Sequence, residues 1–211
     1  MAVQQQHLER ADRIRQAHDD QAAGIRARPE LSTEGRNMLL ARNYVQARDK
    51  MQGLVQSASS DDAAETAKAG RTAFGTAGIP GDPATVAVSY RDAQDRAAGL
   101  TSSGNALALL SRAERSGDEP LARAVAGHAH DMSMGDHLDP GWGDVVDTFT
   151  ASRPSAAAAV STLRRLAPGR LDTRSMFAFV LPRPLELSSA GAYTIDQLAA
   201  KAPFGDHPGG T

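Results

Sequence analysis

The chain has 211 residues, 41% hydrophobic and 23% charged, which is enough for one globular domain or two small ones. Aromatic residues make up only 4% while alanine, the strongest helix former, is abundant, so the composition favours helices over a large sheet. The absence of cysteine excludes thiol nucleophiles, thiolate metal sites and disulfides, and a net charge of −2 provides no basic excess for holding nucleic acid through its phosphates.

The first segment, residues 3–27, contains no proline and carries weakly apolar side chains at intervals of three and four. This spacing predicts a helix with one narrow buried stripe, made by Leu8, Ala11, Ile14, His18, Ala22 and Ile25. Pro29 disfavours helical geometry at the residue before it, so the helix is expected to end there. Ser32 or Thr33 then suits the cap of a second helix.

That second helix has the clearest pattern in the sequence, an a/d heptad stripe over about two heptads. The stripe consists of Leu40, Tyr44, Ala47, Met51 and Leu54, with Leu39 and Val55 beside it. One interpretation is an antiparallel helical hairpin whose two stripes bury each other, and the other is a seam that pairs with another chain. Because two thin stripes make a small core, we predict a hairpin that docks on a further partner through Leu40, Tyr44, Met51, Leu54 and Val55.

The region after the heptad stripe loses its large apolar side chains. Residues 56–78 are therefore either a solvated continuation of the helix or a linker. Residues 75–83 contain Gly, Pro and Asp at a density that no helix continues through. We place a domain boundary there, which gives a docking and oligomerisation element at 1–78 and a compact body at 79–202.

The body is expected to be a bundle of four or five short helices. Asp82 caps the first of them, with Pro83 at its first position, where the missing N–H costs nothing. Later starts are expected at Ser102 or Ser103, at Asp139-Pro140 and at Pro154. Trp142 stands at helical spacing to Val145, Val146 and Phe149, so a core position is favoured for it over a binding platform.

The end of the chain has a different character. Residues 176–181 form a compact apolar run that stops at prolines, which predicts a short extended segment packed on the bundle. Residues 195–200 suit one more short helix, and residues 203–211, rich in Gly and Pro, a flexible tail. The predicted fold is therefore all-α, with an N-terminal antiparallel hairpin, a bundle of short helices and an extended segment near the C-terminus.

The strongest concentration of possible metal ligands lies in residues 127–139, which hold three of the six histidines and three aspartates. His128, His130 and His137 are ordinary ligand types for zinc or non-haem iron. On a helix, however, His128 and His130 point about 200° apart, so only an extended or broken segment brings them together. We predict no metal, cofactor or catalytic residue, and keep a metal-dependent enzyme that uses these histidines as an alternative.

No apolar run approaches the roughly 20 residues of a membrane span, and the N-terminus lacks the pattern of a signal peptide. The expected partners are therefore other proteins, without a membrane and without direct recognition of nucleic acid. A helical-hairpin adaptor that binds a peptide or a partner helix is one hypothesis that fits these features.

Three stretches of the sequence resemble a known group of proteins. Residues 28–36 (RPELSTEGR) with 41–48 are similar to the helix–LS-x-EG-R–helix opening of small proteins of actinobacterial phages and prophages. Residues 113–126 with 141–146, and the segment 179–187 that contains two prolines, resemble further parts of such proteins. The histidine-rich stretch before Gly141 looks like an addition to that pattern.

The resemblance implies a non-enzymatic structural or assembly protein of a phage head. Its role there would be that of a scaffold, a minor capsid component or a head–tail adaptor. Its partners would be capsid- or portal-type proteins or further copies of itself. Its location would be the virion, or the host cytoplasm during assembly.

Overall fold

In a computed structural model, the chain is all-α over the residues that the structure describes, 2–135, 139–167 and 177–201, with side chains from residue 5 onward. The predicted all-α class is confirmed. The helices are α1 (Ala2–Arg26), α2 (Thr33–Phe74), α3 (Pro83–Ala98), α4 (Ser103–Ser116), α5 (Glu119–Gly135), α6 (Gly141–Thr150), α7 (Pro154–Leu166) and α8 (Ala192–Ala200), with a 3₁₀ turn at Leu185–Leu187. None of these described helices combines the length and the apolar character needed to cross a membrane.

Helix α2 is 42 residues long, so the described chain from residue 56 to residue 74 is helical and not a linker. Its last turns bury Ala69, Ala73 and Phe74, which explains why the helix continues beyond the polar stretch. The helix stops where the sequence reaches Gly75. A Cβ atom there would lie 2.4 Å from the carbonyl oxygen of Arg71, so only glycine fits the tight exit from the helix.

The chain forms two compact units, which divide it differently from the predicted domains at 1–78 and 79–202. Unit 1 comprises Met1–Asp61 and Leu171–Thr211, and unit 2 comprises Asp62–Arg170. The residues of α2 are shared between the units because its C-terminal part supplies apolar side chains to the core of unit 2. The C-terminal part of the chain belongs to unit 1 because its apolar side chains pack against α1 and α2.

In unit 1, residues later in α1 contact residues earlier in α2, as they do in an antiparallel pair of helices. The side-chain amide of Asn43 donates to the carbonyl oxygen of His18 over 2.9 Å. Further along, Nε2 of His7 lies 3.0 Å from a carboxylate oxygen of Asp61. Ile25 shares a buried cluster with Leu40 near the turn between the helices.

The C-terminal segment supplies the rest of the core of unit 1. Leu187 and Ile195 are fully buried in the cluster that holds Ile25 and Leu40. Phe179 packs on a second cluster, made by Ala11, Met51 and Leu54. The two clusters together make a core that neither helix stripe forms alone.

Polar contacts fix the same segment in place. The guanidinium of Arg42 donates to the carbonyl oxygen of Ala199 over 2.8 Å, and Arg48 pairs with Asp196 at 2.9 Å. Arg26 binds both carboxylate oxygens of Glu186, at 2.6 and 2.9 Å, and these hydrogen bonds lower the pKa of Glu186 to about 2. Helix α8 and the 3₁₀ turn are therefore tied to α1 and α2 by both packing and charge.

Residues 176–181, predicted to be extended and packed on the bundle, differ from that expectation where they are described, and their Phe179 packs on a cluster of unit 1. Phe177 and Ala178 are helical, while Val180 and Leu181 have no regular secondary structure. Met176, His137 and the tail at 203–211 lie outside the described residues.

Unit 2 is a bundle of α3–α7 around one large apolar cluster. Trp142 and Phe149 are its largest fully buried side chains, which confirms the core position predicted for Trp142. The predicted cap of α3 is also present, because Asp82 accepts from the backbone N–H of Thr85. Helix α4 begins at Ser103, one of the two predicted starts, and Ser102 caps it by accepting from the backbone N–H of Asn105. Gly117, with φ of 69°, ends α4 in the left-handed conformation that glycine adopts most readily.

An arginine network covers the edge of that core. The guanidinium of Arg153 lies 4.3 Å above the ring centre of Phe149 and pairs with Glu114 and Glu119 at 2.8 and 2.7 Å. Arg123 adds a second ion pair to Glu119. Burial alone would raise the pKa of Glu119, but the hydrogen bonds from both arginines lower it below its usual value.

Removing the Phe149 side chain should expose how much of unit 2 depends on this core. Phe149→Ala is expected to lower the free energy of unfolding by about 3–5 kcal/mol, because it leaves a cavity and removes the surface under Arg153. Chemical denaturation followed by circular dichroism measures this change. Leu107→Ala, at a partly exposed position of α4, serves as the control and should cost far less; equal losses would contradict the assignment of the core.

Unit 1 should lose stability in acid through Glu186. Because its folded pKa lies below the unfolded value, the Arg26–Glu186 contribution is present above about pH 4.5 and is lost as the pH falls towards 2. Urea denaturation at pH 5 and at pH 2.5 should therefore show a smaller pH effect in Glu186→Gln than in the wild type. Glu30→Gln, at an exposed position, is the control and should keep the wild-type dependence.

Candidate functional site

Three of the five predicted docking residues are buried in the core of unit 1. Leu40 is buried in the cluster with Ile195, and Met51 and Leu54 are buried in the cluster with Phe179. The surface predicted to meet another protein is therefore covered at these positions by the chain itself. The heptad spacing identifies contact residues but does not identify which partner supplies the other side of the contact.

The other two predicted docking residues are more accessible. Tyr44 is half-buried, and its ring meets that of His18 edge-on, with the ring centres 6.2 Å apart. Val55 is 44% exposed and lines a shallow cleft together with Tyr44, Met51 and Phe179. This cleft is rimmed by the C-terminal segment, so it belongs largely to the packing just described.

A different, open groove runs between α1 and α2 in unit 1. We call it the α1–α2 groove; its volume is about 480 Å³. Each helix lines it with residues at intervals of three and four, which is the spacing of one helical face. The lining residues are Arg10, Arg13, Ile14, Ala17, His18 and Gln21 of α1, and Asn43, Gln46, Ala47, Lys50, Gly53, Leu54 and Ser57 of α2.

Apolar and small side chains form part of the groove lining. Ile14 and Leu54 contribute branched aliphatic carbon, and Ala17 and Ala47 leave room beside them. A Cβ atom built on Gly53 would meet nothing within 4 Å, so the space above this glycine is open. A backbone or a small side chain from another molecule can therefore come close to α2 at this point.

Positive charge is concentrated on the same groove. Arg10, Arg13 and Lys50 line it, whereas no lining residue carries a carboxylate. Among the described residues, none of these three cations takes part in an ion pair. The acidic side chains next to them in sequence have other partners: Asp12 pairs with Arg15, and Glu9 accepts from Gln5.

His18 and Asn43 hold the two helices together within the groove. Both side chains are buried, and the Asn43–His18 hydrogen bond links α2 to α1 at this level. Nδ1 of His18 has no hydrogen-bond partner within the described part of the chain. These residues fix the spacing of the helices, whereas the exposed cations stand at the rim.

The histidine cluster of α5 is divided between separate surroundings. Nε2 of His128 lies 3.0 Å from the carbonyl oxygen of Leu100, and its ring meets Trp142 edge-on. His130 is buried beside Phe74, with 5.5 Å between the ring centres, and burial lowers its pKa. Within 2–135, 139–167 and 177–201, no three His, Asp or Glu side chains come together as a metal site.

Sequence reasoning missed the groove because it relied on the net charge of −2, which gives no sign of a local basic excess. Within the described part of the chain Arg15 has an acidic partner, whereas the neighbouring Arg10 and Arg13 have none and line the groove. The available signal was the spacing of Arg10, Arg13 and Ala17, which places them on one face of α1. Overall composition conceals such a local separation of charge.

Comparisons with protein-family models, with curated proteins and with solved structures gave no match to this chain.

The openness of the groove at Gly53 can be tested without a ligand. Gly53→Ala should raise the free energy of unfolding by about 0.5–1 kcal/mol, because alanine favours the helix and its Cβ meets nothing. Gly24→Ala, in an equally open helical position outside the groove, is the matched control. Thermal and chemical denaturation should show similar gains for both variants, and a loss for Gly53→Ala alone would show that its space is filled.

Proposed function

We propose that this chain is a non-enzymatic structural protein that acts through helix-mediated contacts with other proteins. The observation that carries the proposal is the α1–α2 groove, an open channel with apolar and small residues in its lining and, at its rim, cations that form no ion pair with any described residue. A surface of this kind suits the apolar face of a partner helix, which would add a third helix to the pair.

The dimensions of the groove support an elongated protein ligand. Its lining spans residues 10–21 of α1 and 43–57 of α2, which corresponds to about 16–21 Å along the helix axes. Sites for small molecules are typically enclosed and bury most of the ligand. The α1–α2 groove is instead open along two helices, and a partner helix would contact it over about three turns.

For the setting of this contact, we propose the assembly of a phage particle. The support is the resemblance of residues 28–36 with 41–48, 113–126 with 141–146, and 179–187 to small proteins of actinobacterial phages and prophages. The chain would act as a scaffold, a minor capsid component or a head–tail adaptor. Its partners would be capsid- or portal-type proteins or further copies of itself, in the virion or in the host cytoplasm during assembly.

A helical-hairpin adaptor outside any particle is the second candidate, and the same groove favours it. The two functions differ in the size of the complex they require. A particle component sediments with large assemblies, whereas an adaptor forms a small complex with one partner.

The decisive experiment is gradient sedimentation of the protein from the cells that naturally produce it, with tryptophan introduced into the groove. The wild type should sediment in the particle fraction together with capsid- or portal-type proteins. Ala17→Trp should move to the light fractions, because the indole fills the groove at an exposed position of α1. Ala23→Trp, at an exposed position of α1 outside the groove, should stay with the particle.

Two results would contradict the proposal. Wild-type protein found only in light fractions would exclude a particle component, and a small complex there that Ala17→Trp disrupts would favour the adaptor. If neither tryptophan variant changes the sedimentation of a particle-bound protein, the groove is not the docking surface. Circular dichroism of both variants checks that the helices are intact.

A further inference from the structure

We propose that the occupant of the α1–α2 groove is an acidic amphipathic helix of a partner protein. This inference rests on the proposed function and names the chemistry of the partner. It is carried by the coincidence, on one surface, of three cations without an ion pair among the residues that the structure describes and a lining that contains apolar and small side chains. Such a partner would place its own apolar stripe in the groove and its carboxylates beside the cations.

The charges determine the polarity of the partner. Arg10 and Arg13 stand on α1 and Lys50 on α2, so cations are supplied from both sides of the groove. No lining residue carries a carboxylate. The cations therefore attract an acidic helix on both of its flanks and repel a basic helix. Carboxylates on both flanks of the partner's apolar stripe therefore match the groove best.

The small residues determine how the partner approaches. Ala17, Ala47 and the open position at Gly53 leave little side-chain volume along the middle of the groove. A helix with alanine or leucine at intervals of three and four can therefore pack closely there. Ile14, which is only half-buried, supplies aliphatic surface that such a stripe would cover.

The same lining argues against two other occupants. Single-stranded nucleic acid is typically held by a positive groove with aromatic side chains on which bases stack, and none of the lining residues is Phe, Tyr or Trp. A second copy of α1 would bring Arg10, Arg13 and Arg15 together with its acidic residues, so its charge is mixed. An evenly acidic helix from another protein complements the groove better than either.

A pair of designed peptides tests the inference on the full chain. The first is an amphipathic helix of about 18 residues with an alanine–leucine stripe flanked by glutamates, and the second carries lysine in place of every glutamate. Fluorescence anisotropy should show that the acidic peptide binds at least about tenfold more tightly at low salt, since several charge pairs contribute together. The preference should shrink at high salt, which screens charges at the surface.

Charge reversal in the protein then locates the site. Arg10→Glu together with Lys50→Glu should weaken the acidic peptide about tenfold and strengthen the basic one. Arg91→Glu together with Lys68→Glu makes the same charge change at exposed positions of unit 2 and should alter neither affinity. Tryptophan at Ala17 should block the acidic peptide, and tryptophan at Ala23 should not.

The outcomes separate this inference from the proposed function. Equal affinity for the two peptides, tighter binding of a single-stranded oligonucleotide, or dimerisation that Ala17→Trp abolishes would overturn the acidic helix. Suppose one of these results is obtained while the Ala17→Trp variant is still lost from the particle fraction. The docking function then stands, and only the proposed chemistry of the occupant is wrong. If the acidic peptide binds as expected but the protein never sediments with particles, the assembly function fails and the inference stands.

Discussion

The narrowness of the apolar stripes on α1 and α2 is the constraint on which unit 1 depends. Neither stripe is wide enough to bury the other completely, so the pair needs a further apolar surface. The C-terminal part of the chain supplies it, through Phe179, Leu187 and Ile195. The α1–α2 groove lies beside this core and shares Leu54 with it, and its exposed lining brings small side chains and positive charge together.

Much of the helical architecture follows from local sequence, because caps and helix stops act over a few residues. Asp82, Ser102 and Gly117 show this directly, since each acts at a helix end through its own side chain or backbone. Trp142 was also predictable, because its spacing to Val145 and Phe149 places all three on one helical face. The division into units was not predictable in this way, because it depends on which distant segments share a core. The break at residues 75–83 marks only the end of a helix and not the boundary between the units.

The candidate site was predictable only in part. Periodicity identified Leu40, Met51 and Leu54 as contact residues, but it gives the same pattern for a partner within the chain and a partner outside it. The cations of the groove were visible in the sequence, yet Arg10 and Arg15 differ only in which neighbours they meet after folding. For the histidines, by contrast, the sequence was sufficient. The angular separation of His128 and His130 on a helix indicated different surroundings, and their contacts with Leu100 and Phe74 are indeed separate.

The return of the C-terminal segment to unit 1 has a consequence for synthesis. All of unit 2 lies between the two stretches that make up unit 1, so its residues leave the ribosome before Leu187 and Ile195 do. Since a domain folds as its chain becomes available, unit 2 can complete its core while unit 1 still lacks part of its own. The apolar surface that α1 and α2 share with the C-terminal segment therefore stays uncovered while more than a hundred further residues are translated.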